Sequence, residues 1–450
     1  MFSRLKSFFC VAGNGFRAPQ RIFWTGFIIR ILYMTLAHTY RINVRQDHFN
    51  FGWETGRIAR ALATGYGYAD PFMGHSGPTT WISPLFTVIM AGVFKVFGVY
   101  SVKSAWVTFA LTSLFSAATA PAVYEIATRC YHANIYGRAR ATSVALWSGW
   151  LWALYPAAMQ YSVRWIWDTS LSAFLLTWAI LFALRVRGIG ESEDSHRNNT
   201  IRWTIFGLLW GLISLCNPSL LLCLPACIVW ILWGMRSSVR SFSIQSARAV
   251  LAALIVSACL APWIYRNWLA FHAFIPARGN LGAELYQATL ESNDGYPWGP
   301  TLPLVETAPD FQHYKQVGEL AYVREKSIAA KANIHDHPHL IAKWTLLRVY
   351  FFWGGIPHTF DRNYVTEITR DINFAFLSVS GLLGLFLSIK RRVPGAWLFA
   401  AIFLLDPVIY YVVTVQSRFR HPLEPLISIL TVFLFQSAEP GFKRTAKAEA

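Results

Sequence analysis

Thr39–Lys103 reads TYRINVRQDHFNFGWETGRIARALATGYGYADPFMGHSGPTTWISPLFTVIMAGVFKVFGVYSVK and is the first long stretch that is not plainly membrane-spanning. Asp47 and Glu54 come first, at the mouth of a helical run Trp53–Thr64. The turn-rich Gly65-Tyr66-Gly67-Tyr68 follows, then Asp70-Pro71 and Gly77-Pro78-Thr79-Thr80-Trp81. An apolar run from Ile82 to Phe97 closes the segment. Acidic side chains are scarce in this chain, with 23 Asp and Glu in 450 residues. Two of them lie just after the first hydrophobic span, beside aromatics and glycines, which points to a site at a membrane surface.

Composition sets the class. Hydrophobic residues make up 54%, charged ones only 14%, and the mean hydropathy is +0.36. A soluble domain cannot hide that much apolar surface, so an all-α polytopic membrane protein is expected. The net charge of +17 comes from short Lys and Arg clusters between apolar runs. That pattern reports membrane orientation and excludes nucleic acid as a partner. Cys10, Cys130, Cys216, Cys223, Cys227 and Cys259 nearly all fall in or beside apolar runs, with no His or Cys spacing of a metal set. They read as packing residues and imply no disulfide framework. Met1–Gln20 is basic and lacks a small-residue cleavage site before Arg21–His38, which reads as a retained first span.

Twelve apolar runs can be counted, but twelve crossings would put Arg129/Arg138/Arg140, Arg185/Arg187/Arg197/Arg202 and Arg236/Arg240/Arg248 outside. Positive charge in short loops favours the cytoplasm. Trp81–Gly98 and Leu340–Gly354 are short for a span of about 20 residues and carry Lys95 and Arg348, so they are read as juxtamembrane segments on the outer face. About ten spans remain, with both termini cytoplasmic, in the inner (plasma) membrane of a cell envelope. Residues 1–264 then form an N-terminal transmembrane module, 265–371 an outer-face region, and 372–450 the last spans and a tail. A cysteine label at His75 is expected to react from outside intact cells and one at Ser195 is not. Outside labelling of Ser195 together with protection of a label at Gly295, otherwise expected to react from outside, would restore the twelve-span arrangement.

The outer segments hold most of the polar chemistry. Arg164-Trp165-Ile166-Trp167-Asp168 puts an acid at the mouth of a span, where it also suits a helix N-cap. Arg266-Asn267 ends another span, followed by Arg278-Gly279-Asn280 and Glu284. Arginines flanking an amide and a carboxylate can hold a phosphate and a sugar, or simply anchor a helix in the headgroups. The last outer loop, Gln416-Ser417-Arg418-Phe419-Arg420-His421-Pro422-Leu423-Glu424, is basic against the charge bias. An anionic lipid phosphate explains that cost, and so does a salt bridge to Glu424.

In order, these parts resemble the membrane glycosyltransferases of the GT-C fold, specifically the bacterial group near protein O-mannosyltransferases and lipid A aminoarabinose transferases. The resemblance rests on an acid after the first span, a helix ending in Leu62-Ala63-Thr64-Gly65-Tyr66-Gly67, and the Pro-led Ser83-Pro84-Leu85-Phe86. Asn217-Pro218-Ser219, Pro262-Trp263 with Arg266-Asn267, and Arg418-Phe419-Arg420-His421-Pro422 extend it over nearly the whole chain. It implies an integral enzyme that takes a sugar from a polyprenyl-phosphate carrier and passes it, with inversion, to a lipid, glycan or protein acceptor. The family's first-loop acidic pair is split here into Asp47 and Glu54, so either is the base that the resemblance implies. Asp168 matches the acid after the third span and takes an acceptor-orienting role. Arg266, Asn267, Arg278, Glu284, Arg418, Arg420 and His421 are the implied lipid-phosphate and substrate contacts. A divalent metal held by His48, His75 or His421 with an acid stays open. Two other classes fit the sequence less well. A lipid-linked sugar transporter needs matched repeats or sets of intramembrane charges, and Arg30 and Asp406 form no set. A non-catalytic scaffold leaves polar residues collected at one face unexplained.

Overall fold

The computed structural model describes residues 17–42, 51–132, 136–191, 199–235, 239–296, 307–356 and 364–438. Asp47 and His48 lie outside the described residues, as does Ser195. Among the described residues the chain is helical, with one isolated antiparallel bridge, Ala69 to Pro78, in the first loop.

In order come α1 (Arg17–Leu36), α2 (Glu54–Ala63), α3 (Pro84–Phe97), α4 (Val102–Cys130), α5 (Arg138–Leu154), α6 (Pro156–Val163), α7 (Thr169–Val186) and α8 (Asn199–Cys216). Then follow α9 (Cys223–Trp233), α10 (Val239–Phe271), α11 (Leu281–Ala288), α12 (Pro309–Val317), α13 (Glu319–Asp336) and α14 (Pro338–Gly354). The last are α15 (Tyr364–Lys390), α16 (Ala396–Leu405), α17 (Val408–Val412) and α18 (Glu424–Gln436). Helix α10 runs unbroken past 264, where the sequence reading drew its first boundary, to Phe271.

Four helical stretches are long and apolar enough to cross a membrane: Val102–Cys130, Thr169–Val186, Phe242–Phe271 and Ile368–Lys390. With shorter apolar helices around them, they make this a membrane protein. Apolar faces turn outward where lipid replaces water as the solvent; Leu36, Val229, Leu254, Leu346 and Phe386 are all largely exposed. Helix α3 has 14 residues, about 21 Å at 1.5 Å per residue. That falls short of a hydrocarbon core of about 30 Å. Gly98, at φ 93°, ends it.

Breaks in the bundle follow proline and are chemically repaired. The run read as one span from Ala141 to Met159 is two helices, because Pro156 cannot continue α5. Arg30 of α1, fully buried, donates from Nη1 to the freed Ala153 carbonyl at 2.7 Å and from Nε to Ser162 Oγ at 3.2 Å. An intramembrane arginine thus closes a helix end that lipid would leave unsatisfied. Pro407 divides the run from Ala396 in the same way, between α16 and α17.

The main core runs through the bundle. A satellite core of Phe72, Trp81, Ala283, Phe311, Tyr314, Tyr322 and Val323 fastens the first loop to α11–α13. A smaller one joins Ile58 and Tyr68 to Trp263. The loops therefore form one packed cap over an end of the bundle.

Candidate active site

Helix α2 begins at Glu54, immediately after Gly52 and Trp53, which both have positive φ (83° and 53°). The tight entry presses Gly52 against the loop before α7, so closely that a Cβ there would run into the Ile166 carbonyl oxygen. Glu54 and Asp168 are thereby brought to the same cap.

Asp168 occupies the N-cap position of α7, yet its side chain caps no helix amide. Ser172 Oγ donates to that carboxylate at 3.5 Å. Burial raises its carboxyl above the usual range, against the opposing pull of Arg418 and then Arg278. Glu284, in the first turn of α11, accepts from Asn280 Nδ2 at 2.9 Å and faces Arg278 Nη2 at 3.8 Å. It keeps 31% of its side-chain surface, yet it is recessed among protein atoms. That burial raises its carboxyl; Arg278 opposes the rise, Glu54 adds to it and Arg418 opposes it. Five charged groups from four segments (Glu54, Asp168, Arg278 and Glu284, Arg418) thus act on one another.

Arg418 is the open member. Its guanidinium lies 4.0 Å from the Trp167 ring centroid, and Trp167 stacks on Trp165 at 5.0 Å and 6°. Burial lowers its pKa from the ordinary guanidinium value, while Asp168 and then Glu54 hold it up. Its Nε is buried with no hydrogen-bond partner among the described residues. Arg418 is thus a flat cation fixed on an aromatic face, with one donor unused and two acids nearby.

The other residues singled out from the sequence do different work. Arg266 donates from Nη1 to the Thr79 carbonyl at 2.8 Å and from Nη2 to the Tyr68 carbonyl. Asn267, fully buried, donates to the Ile275 carbonyl at 2.9 Å. Both tie loops together instead of facing the charged cluster. Arg420 and His421 are wholly buried on Glu424, at 2.9 and 2.6 Å. Arg420 also donates to Ser378 Oγ and to the Phe374 carbonyl. The salt bridge, one of two readings of that loop, is what forms; of the arginines singled out, Arg278 and Arg418 are the two that act on the clustered carboxylates.

Of the histidines in the metal reading, His48 lies outside the described residues. No three His, Cys, Asp or Glu among the described residues are arranged to hold an ion. His75 bonds Asp70 at 2.7 Å and His421 bonds Glu424, so the two serve different acids.

Sequence reading missed one buried group, Glu319. It accepts from Thr80 N and Thr80 Oγ1, both at 2.6 Å, from Tyr314 at 2.8 Å, and from Thr79 Oγ1. The threonine partners lie 239 and 240 positions upstream, and nothing local marks them.

No family model matches the chain, and no curated protein matches it. Solved structures do. The apo form of the Archaeoglobus fulgidus oligosaccharyltransferase is 13% identical, with 92% of this chain covering 50% of that one, at a TM-score of 0.50. The archaeal oligosaccharyltransferase AglB from the same organism, in complex with an inhibitory peptide and a dolichol-phosphate, gives 14%, 92%, 50% and 0.48. ArnT from Cupriavidus metallidurans, bound to undecaprenyl phosphate, gives 13%, 91%, 78% and 0.32. The chain spans about half the length of the oligosaccharyltransferases it matches. The shared fold is that of the GT-C membrane glycosyltransferases, as the sequence reading expected.

Proposed function

We propose that this protein is an inverting glycosyltransferase that moves a sugar from a polyprenyl-phosphate donor to an acceptor hydroxyl at the outer face of the membrane. The observation that carries the reading is the cluster itself, a half-buried guanidinium with an unpaired Nε on a tryptophan stack beside carboxylates. A polyprenyl phosphate is already a good leaving group, so the site needs one base and a cationic cradle.

In this reading Glu54 takes the proton of the acceptor hydroxyl as its oxygen forms the new bond to the sugar's anomeric carbon. The bond from that carbon to the phosphate oxygen breaks on the opposite face, and its electron pair leaves with the phosphate. One direct displacement inverts the centre. Arg278 and Arg418 take up the negative charge that develops on the departing phosphate. Asp168, close to Arg418, orients the acceptor. No step is routed through a metal.

Incubating purified protein with several polyprenyl-phosphate sugars and following sugar loss and transfer tests the proposal. Transfer with inverted configuration is expected. Movement of the labelled lipid across liposomes without transfer would instead make the protein a transporter. Arg418→Ala should fold and lose about 1–3 kcal/mol of polyprenyl-phosphate binding, the worth of a charged hydrogen bond. Unchanged affinity, by fluorescence quenching in detergent, would reduce Arg418 to a headgroup anchor.

A further inference from the structure

Thr79-Thr80-Trp81 has every backbone carbonyl committed. Arg266 Nη1 donates to Thr79 at 2.8 Å, Gly279 N to Thr80 at 3.2 Å, and Arg278 Nε to Trp81 at 2.9 Å. On its other side the segment gives three of its donors to a single carboxylate, which a tyrosine joins. Thr80 N, Thr80 Oγ1, Thr79 Oγ1 and Tyr314 Oη all donate to Glu319, which keeps 3% of its surface. Thr79 Oγ1 also accepts from Trp81 N at 2.9 Å, so the bonding passes directly to the peptide whose carbonyl holds Arg278. The contact leaves no slack: a Cβ on Gly279 would run into Thr80 Oγ1.

Arg278 is otherwise poorly restrained. Its side chain is 35% exposed, and its ion pair with Glu284 is long, at 3.8 Å. A flexible guanidinium loses rotamer freedom each time it meets a phosphate, and a fixed Nε removes part of that cost in advance.

We infer that Glu319 is a positioning residue, which aims Arg278 at the donor phosphate by locking the Thr79–Trp81 backbone. The inference rests on the transferase reading, in which Arg278 meets that phosphate. Glu319 touches no reacting atom and acts only through the carbonyl of Trp81. Its four bonds also explain why a carboxylate is needed. Glutamine keeps one oxygen for two donors and turns an amide, itself a donor, toward Thr79 Oγ1 and Tyr314 Oη.

A double-mutant cycle read by undecaprenyl phosphate binding tests this on purified, folded protein. Glu319→Gln should weaken binding about tenfold in the native background, the scale of one well-placed hydrogen bond. In an Arg278→Lys background, where no Nε fork grips Trp81, the same change should have little further effect. Thr80→Val, which removes one donor to Glu319, should give a smaller shift with the same dependence on Arg278 and replaces Glu319→Gln if that variant does not fold. A Glu319 that only stabilises the fold would lower the yield of folded protein and leave the affinity of the folded fraction unchanged. That result, or equal losses in both backgrounds, overturns the inference while leaving the transferase reading intact. A native protein that neither binds undecaprenyl phosphate nor transfers sugar overturns the transferase reading and the inference with it.

Discussion

Glu54→Gln is expected to lower kcat about 10²–10⁴-fold, the usual worth of a positioned general base, with the fold and donor affinity retained. The amide keeps the shape of the side chain and cannot accept the proton. Helix α2 starts at Glu54, and a carboxylate there also suits the helix dipole, by about 0.3–1 kcal/mol; the two roles separate because the dipole term touches stability and the base term touches turnover. Asp168→Asn should cost less turnover and should mainly raise KM for the acceptor. Asp168 also sets a pH signature. Burial raises its carboxyl, so the folded protein holds that proton at pH values where the unfolded chain has released it. Its contribution to stability is full below the unfolded value and is lost as pH rises through the folded one. An ionised Asp168 is needed for work, so the acid limb of activity should lie above the ordinary carboxylate value of about 4. Thermal unfolding across pH should lose that slope in Asp168→Asn. An active Glu54→Gln beside a dead Asp47→Asn would move the base to Asp47, and three active variants would remove this site from catalysis.

Arg420→Ala should destabilise the protein by about 3–5 kcal/mol, the cost of stranding a buried charge. Glu424 keeps none of its side-chain surface, and the Arg420 guanidinium packs 3.2 Å from the Phe374 ring centroid. Removing it leaves Glu424 with His421 alone and takes one donor away from Ser378 Oγ and from the Phe374 carbonyl. The effect is structural, so the folded fraction should bind polyprenyl phosphate as the native protein does. Arg418→Ala should show the reverse. A loss of lipid-phosphate affinity in well-folded Arg420→Ala would return that residue to the ligand site. Arg418 and Arg420 are two residues apart in one short turn, so the contrast separates their roles.

Charge and hydropathy made the class of this protein legible. The short Pro84–Phe97 helix, and the acids collected with Arg278 and Arg418, could be anticipated from position alone. What escaped was pairing. Arg266, Asn267 and Arg420 read as ligand residues because a cation or amide at a span end has two uses, and only the three-dimensional partner decides between them. Arg420 and Glu424 are one helical turn apart, and that spacing allowed the pair without requiring it. Glu319 was invisible for the opposite reason. A glutamate after glycine at a helix start has an ordinary local explanation in the helix dipole, and its threonine partners belong to a loop more than two hundred residues earlier. The break at Tyr155-Pro156 was there to be read, but the arginine that repairs it lies in another helix.

The contact of Gly52 with the Ile166 carbonyl has a consequence for how such a protein can diversify. The separation of Glu54 and Asp168 is set by two backbones in touch, so it does not depend on the side chains around them. Neighbouring residues can be exchanged while the distance between the two acids is inherited unchanged. Variation at residue 52 is the exception, because any larger side chain would act as a wedge between the two acids.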